Sequence, residues 1–562
     1  MILRRTLKLF CCSAMALHLM AENPEIGGNT GASTAPVQAI SLKDIQELKK
    51  KIAEQQKEIE RLQKSVAEQQ TLLDNTMRVV AAGATENTNA SLLTTPPQLQ
   101  PIGDTGNVPL ALGPAARSGQ ARALPTNVES PLSFKIGSAD FTPFGFVDFT
   151  YIGRSTNVGS GIGTNFGSIP YNSAAPGRIG ENTLSTQNSR LGLRVDSSVA
   201  GAKVLGYFEA DFLGNQPTNV FDTSNSDTFR MRNIFVDVRK GTLEIMGGQD
   251  WSLMTPGRVG ISPLPADIFY TQDMDTNYQA GLIWARQTQF RIAYHPSENF
   301  HLALSLENPQ QYAGGSSGAP TITFPAAYAS NTSITNQFNT GANSYAVPNS
   351  SPDFIVKAAF DSRPGGKLQH IEVAGLLRNF KYYNPALNNN QGKTFTATGG
   401  GGSVNGNFEI FKNFHLIANT FFSDGGGRYI FGMAPDLALK PNGDLSLLHS
   451  WSTVDGFEAN VSKNMLLYSY YGGAYIGKDA FLDTNGKYVG YGYPGSSNSQ
   501  NRDVQEYTIG LIPTFFKNPH YGALQLITQY SYLWRVPWYL AANTPKNAKT
   551  NMVWIDLRYT LP

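Results

Sequence analysis

The chain has almost no cysteine, no long apolar run and no excess of either charge. Its only two cysteines, Cys11 and Cys12, fall inside the first 21 residues, a stretch that reads as a cleaved leader. A mature chain without them excludes disulfides and thiolate metal sites. Against 44 Lys and Arg stand 42 Asp and Glu, a net charge of +2. Removing Arg4, Arg5 and Lys8 with the leader leaves 44 − 3 = 41 basic against 42 acidic residues, about −1, so no global basic field exists and no nucleic-acid partner is expected. His18 lies in the leader. The remaining His295, His301, His370, His415, His449 and His520 sit in no G-x-S-x-G or H-E-x-x-H frame, so neither an enzyme nor a cofactor or metal site is expected.

What is present is glycine and aromatic side chains: 55 Gly, 25 Tyr and 31 Phe favour turns and aromatic-rich strands over helices. The chain divides into segments. Residues 1–21 carry a basic start, an apolar stretch from Leu9 to Leu19 and Met20-Ala21 before Glu22, the pattern of a secretory signal peptide. A short segment, 22–40, follows. Over 41–76 Ile45, Ile52, Ile59, Val66 and Leu73 recur every seven residues, with Leu48, Gln55, Leu62 and Gln69 at the second core position. That spacing predicts a coiled coil, and its polar Gln layers leave dimer and trimer both open, with the trimer slightly favoured. Residues 77–132, rich in Ala, Thr, Asn, Gly and Pro, read as a flexible linker.

From 133 to 562 one pattern repeats: a short run alternating apolar and polar residues, closed by Gly, Asn, Asp, Ser or Pro. In Leu191-Gly-Leu-Arg-Val-Asp196 the apolar Leu191, Leu193 and Val195 point one way and their neighbours the other. Candidate strands include 141–153, 188–199, 202–213, 229–239, 242–250, 278–287, 290–295, 300–307 and 354–361, and continue to 552–560. About seventeen are counted, and because bacterial single-chain barrels carry an even number, sixteen is expected and eighteen is the alternative. Tight connections at 199–201, 240–241 and 295–299 alternate with long ones at 215–227, 251–277, 308–353 and 477–503. The fold class expected is an all-β transmembrane barrel of about sixteen antiparallel strands behind an N-terminal helical coiled coil. Tyr151, Trp251, Tyr294, Tyr468, Tyr470, Tyr530, Trp534, Trp538 and Tyr559 are expected to form interfacial girdles.

Phe144-Gly-Phe-Val-Asp-Phe149, Asn188-Ser-Arg-Leu-Gly-Leu-Arg194, Tyr207-Phe-Glu-Ala-Asp-Phe212, Arg230-Met-Arg-Asn-Ile-Phe-Val-Asp237 and Gly248-Gln-Asp-Trp251 occur in that order. In this succession, and in the heptad segment before it, the chain resembles the DcaP-like trimeric outer-membrane porins. The resemblance implies a homotrimer in the Gram-negative outer membrane, in contact with its lipid, with the coiled coil in the periplasm, where peptidoglycan is a candidate partner. It also implies passive diffusion of small anionic, dicarboxylate-like solutes. The rival reading, drawn from the coiled coil, is a trimeric envelope adhesin or a tether between outer membrane and cell wall.

A pore selects by the charges at its narrowest water. Strand parity turns Arg190, Arg194 and Arg291 toward the lumen, with Glu209 and Asp211, so that opposed Arg and carboxylate rows are expected. Arg230 and Arg232 share parity with apolar Ile234, Val236 and Val238, which places them either beyond the membrane edge or behind a β-bulge. Arg258 lies in the long segment after Trp251, where Pro256-Gly257 and Pro263-Leu-Pro265 suit a loop folded into the barrel. Paired Arg donors match carboxylate geometry.

Overall fold

The computed structural model describes residues 130–214, 227–264, 279–315, 319–341, 348, 351–385, 392–431, 433–540, 542 and 544–562. The expected signal peptide, N-terminal segment and coiled coil, and the linker up to residue 129, lie outside these residues.

Sixteen antiparallel strands form the wall. In chain order β1 is Ala139–Arg154, β2 Arg190–Val199, β3 Ala202–Asp211 and β4 Arg230–Lys240. Next come β5 Leu243–Trp251, β6 Arg286–Tyr294, β7 Phe300–Glu307 and β8 Asp353–Ser362. The longer half consists of β9 Gln369–Asn384, β10 Lys393–Phe411, β11 Phe414–Asp424 and β12 His449–Ser462. Then β13 Met465–Ile476, β14 Asn501–Asn518, β15 Gly522–Pro537 and β16 Ala548–Thr560 complete it. Each strand pairs with the next. The sheet closes because β1 pairs with β2 along Asp140–Phe146 and with β16 along Phe146–Arg154.

The connections sort onto two rims. Two-residue turns such as Ala200-Gly201, whose positive φ angles of 50° and 77° match the twist of a tight hairpin, alternate with long loops. Those loops carry small hairpins of their own, Leu437–Leu439 with Leu445–Leu447 and Asp479–Leu482 with Tyr488–Tyr491. Among the described residues no helix is long and apolar enough to cross a membrane.

The wall inverts the habit of a soluble protein. Its outer face exposes Leu191, Val236, Ile292, Leu304, Val356, Val373, Ile509, Val553 and Leu557. Its inner face buries Asp148, Glu209, Arg291, Lys357, Glu372, Glu506 and Arg558. A cation turned to hydrocarbon at mid-height costs about 2–4 kcal/mol, so this segregation fixes which way each strand faces.

Two expectations change. Residues 279–285 are not part of a strand; β6 starts at Arg286 and runs through the separately expected 290–295 segment, which reduces seventeen to sixteen. The misread residues Ala280, Leu282, Ile283 and Trp284 are apolar because they are buried inside the barrel. Tyr468 and Tyr470 leave the expected girdle: both are fully buried on the inner face, where their hydroxyls donate to Gln529 and Glu458. Trp251 packs edge-on against Trp284 of the inner segment, and Trp538 packs within the loop cluster. Tyr294 and Tyr530 are exposed on the outer face.

Candidate pore-lining site

The segment after β5 turns inward and lies against the barrel's inner face. Strand β7 holds its start, where Leu253 N–H donates to Glu307 Oε1 at 2.8 Å. Strands β8 and β9 hold its middle. Lys357 Nζ donates to the Thr255 carbonyl at 2.7 Å, Gly257 N–H to Glu372 Oε1 at 3.0 Å and Gly260 N–H to Asp361 Oδ2 at 2.9 Å. Strand β12 holds Arg258, whose two terminal nitrogens donate to both oxygens of Glu458 at 2.7 and 2.5 Å. The returning stretch is held by β14, where Glu506 Oε2 accepts from Ala280 N–H at 2.9 Å. Gly281 has φ +87° and sits so close to β13 that a Cβ would lie 2.4 Å from the Gly473 carbonyl. Strands from both halves of the ring therefore anchor one inner loop.

A second group of charges occupies the inner face of β2, β3 and β4. Arg232 is the extra residue of a bulge: Glu209 pairs with Asn233 and Ala210 with Met231, so the bulge reverses the strand's phase. Of the two alternatives for Arg230 and Arg232, the bulge is the one present. Arg232 donates to Glu209 at 2.5 Å and Asp211 at 2.8 Å, and Arg230 donates twice to Asp211 at 2.9 and 2.6 Å. Tyr207 adds a hydroxyl donor to Glu209 at 3.0 Å. Arg190 stands less tightly held, 3.8 Å from Glu209, with its guanidinium over the Phe146 ring and its Nε without a hydrogen-bond partner. Arg558 covers the same ring at 4.1 Å and donates to Asp148 at 2.7 Å.

Arginines and carboxylates are thus interleaved on neighbouring strands and paired with each other. The expected opposed rows are not what these residues form, because adjacent strands bring Asp211 directly against Arg190 and Arg230 in register. Arg194 binds Asp196 two positions along its own strand at 2.6 Å. Arg291 donates to the Trp251 carbonyl at 2.8 Å and lies 3.6 Å from Asp250. With Arg258, Lys357 and Glu372 it lines the cavity between the inner loop and the wall.

Near the long-loop rim, Arg378 binds Asp353 at 3.0 Å and Asp436 at 2.9 Å, while Arg428 reaches Asp353 at 3.1 Å. Asp436 is a loop residue whose carboxyl burial raises, against the lowering pull of the two arginines. Among the described residues no group of three or more His, Asp or Glu side chains is placed to hold a metal ion.

Lys357, Asp361, Glu372, Glu458 and Arg558 were not among the residues expected from sequence. Their signal was available in strand parity: Lys357 alternates with exposed Val356, and Arg558 with exposed Leu557.

The barrel superposes on the crystal structure of the outer membrane channel DcaP of Acinetobacter baumannii with a TM-score of 0.53, covering 76% of this chain and 99% of that one at 18% identity. The two share one barrel fold. Further from it are an anion-selective porin from Comamonas acidovorans, at TM-score 0.41 and 12% identity over 75% of this chain and 99% of that one. The trimeric form of the outer membrane protein OmpT of Vibrio cholerae lies at TM-score 0.38 and 10% identity over 75% of this chain and 100% of that one. No family model and no curated protein sequence matches the chain.

Proposed function

We propose that the chain forms a water-filled outer-membrane channel for passive diffusion of small anionic, dicarboxylate-like solutes. The observation that carries this reading is the closed wall, apolar outside and charged inside, with Arg190 standing on its inner face 3.8 Å from Glu209. A loosely held arginine suits a carboxylate. The heptad spacing of 41–76 supports a homotrimer with its coiled coil on the periplasmic side, where it is free to meet peptidoglycan.

Planar-bilayer recording of the purified mature protein tests the channel: conductance steps are expected, grouped in threes, with a reversal potential on the anion side in a salt gradient. Absence of steps removes the channel reading; a cation-side potential removes the anion preference alone. Accessibility of a cysteine placed at Ser65 to an impermeant reagent on intact cells would contradict the periplasmic placement.

A further inference from the structure

Three of the chain's histidines meet on the inner face, where the inner loop is fastened, and they form one row with the carboxylates that fasten it. Glu244 Oε2 of β5 lies 3.5 Å from His295 Nε2. His295 Nδ1 lies 2.8 Å from His301 Nδ1. His301 Nε2 of β7 is 3.5 Å from Asp361 Oδ2 of β8, and Asp361 Oδ1 is 2.8 Å from His370 Nδ1 of β9. His370 Nε2 is 3.4 Å from Glu372 Oε2, and Lys357 Nζ closes the row on Glu372 at 2.9 Å. Other groups facing it are Arg239 of β4, 3.8 Å from Glu244, Asn405 of β10, 3.0 Å from Glu372, Asp237 on the inner face of β4, and Arg291, which lines the same cavity as Lys357.

The geometry limits how many protons the row holds. His370 has a carboxylate at each nitrogen, so both nitrogens carry hydrogen and the ring is a cation. Two Nδ1 atoms at hydrogen-bond distance require one to donate and the other to accept, so His295 and His301 share at most one charge in this arrangement. A further proton on that pair puts N–H against N–H and drives the rings apart. With the rings together the pair holds at most one charge and with the rings apart it holds two, so acid favours separation.

Separation acts on the loop directly. Asp361 Oδ2, the oxygen beside His301, is the one that accepts Gly260 N–H, and Glu372, at the other side of His370, accepts Gly257 N–H. Gly260 also lies against the His301 ring, where an added Cβ would be 3.3 Å from Nε2. A loop segment lying on the wall has only the lumen to move into when released.

The geometry points to a proton-operated latch: protonation of both rings of the His295–His301 pair frees the Thr255–Gly260 stretch of the inner loop from β8 and β9 and narrows the pore in acid. This latch rests on the channel reading above for its effect on conduction, though not for the loop's release. His301→Gln is the decisive variant, because its amide oxygen accepts from His295 and its NH2 donates toward Asp361, yet it takes no proton. Wild-type conductance, corrected for the bath, is expected to fall stepwise as the bath is acidified, and the fall is expected to vanish in His301→Gln and in His295→Gln with conductance at neutral pH unchanged. A spin label on a cysteine introduced at Ser262, in a mature chain that has no other, is expected to gain mobility in acid in the wild-type background and not in His301→Gln. An acid response that persists in both variants, or a wild type with neither response, overturns the latch. Absence of any conductance overturns the channel instead and leaves the label to judge the latch.

Discussion

Arg232 meets Glu209 at 2.5 Å from a bulged position, so the guanidinium that alternation alone would turn toward lipid points into the barrel. The bulge lets one residue bridge two carboxylates, since Arg232 also reaches Asp211 at 2.8 Å.

Arg232→Ala is expected to destabilise the barrel by about 3–5 kcal/mol, because it strips Glu209 and Asp211 of a buried partner. Urea unfolding in micelles, followed by tryptophan fluorescence, reads the loss. Arg194→Ala, which removes a more accessible pair with Asp196, is the comparison and should cost no more than about 1 kcal/mol.

Arg190→Gln is expected to leave folding nearly intact and to move the reversal potential in a salt gradient toward zero. Among the described residues its side chain holds only the 3.8 Å contact to Glu209 and the Phe146 ring, so its donors are the ones a passing carboxylate finds. An unchanged potential would show that selectivity resides elsewhere in the lumen.

Arg258→Gln removes the bidentate pair that joins the inner loop to β12, while Glu458 keeps the Tyr470 hydroxyl at 2.7 Å. Single-channel recordings should show more frequent brief closures at neutral pH and no loss of assembled barrel on heat-modifiable gels.

Gly281→Ala is expected to cost of the order of 1–3 kcal/mol and to lower the yield of folded protein. The residue combines φ +87° with a would-be Cβ 2.4 Å from the Gly473 carbonyl and 2.6 Å from that of Thr453, so the returning loop must lift from β13 and β12. The unfolding midpoint and heat-modifiable migration measure this.

Alternation made β2 and β8 legible in the sequence, because hydrocarbon outside and charge inside impose a period of two on Leu191-Gly-Leu-Arg-Val and on Phe354-Ile-Val-Lys. It fails wherever a segment meets the same surroundings on both sides. Ala280 to Trp284 lie inside the ring, so their unbroken apolar character imitates a strand. Tyr468 and Tyr470 belong to a strand whose inner face packs under that loop, so aromatic character there marks contact with protein. The partners of Arg258 were out of reach for another reason: Glu458 is 200 residues away, and only the closed ring brings the two together.

The seam between β1 and β16 joins Arg154 to Met552 and Phe146 to Thr560, the first wall strand to the last. Every other adjacent pair is consecutive in the wall and is available as soon as the younger strand exists. The ring cannot shut until the final thirteen-residue strand has been made, so both terminal edges stay open throughout synthesis. A chain of this topology carries two unpaired borders until its ends meet, the contact of greatest sequence separation in the wall.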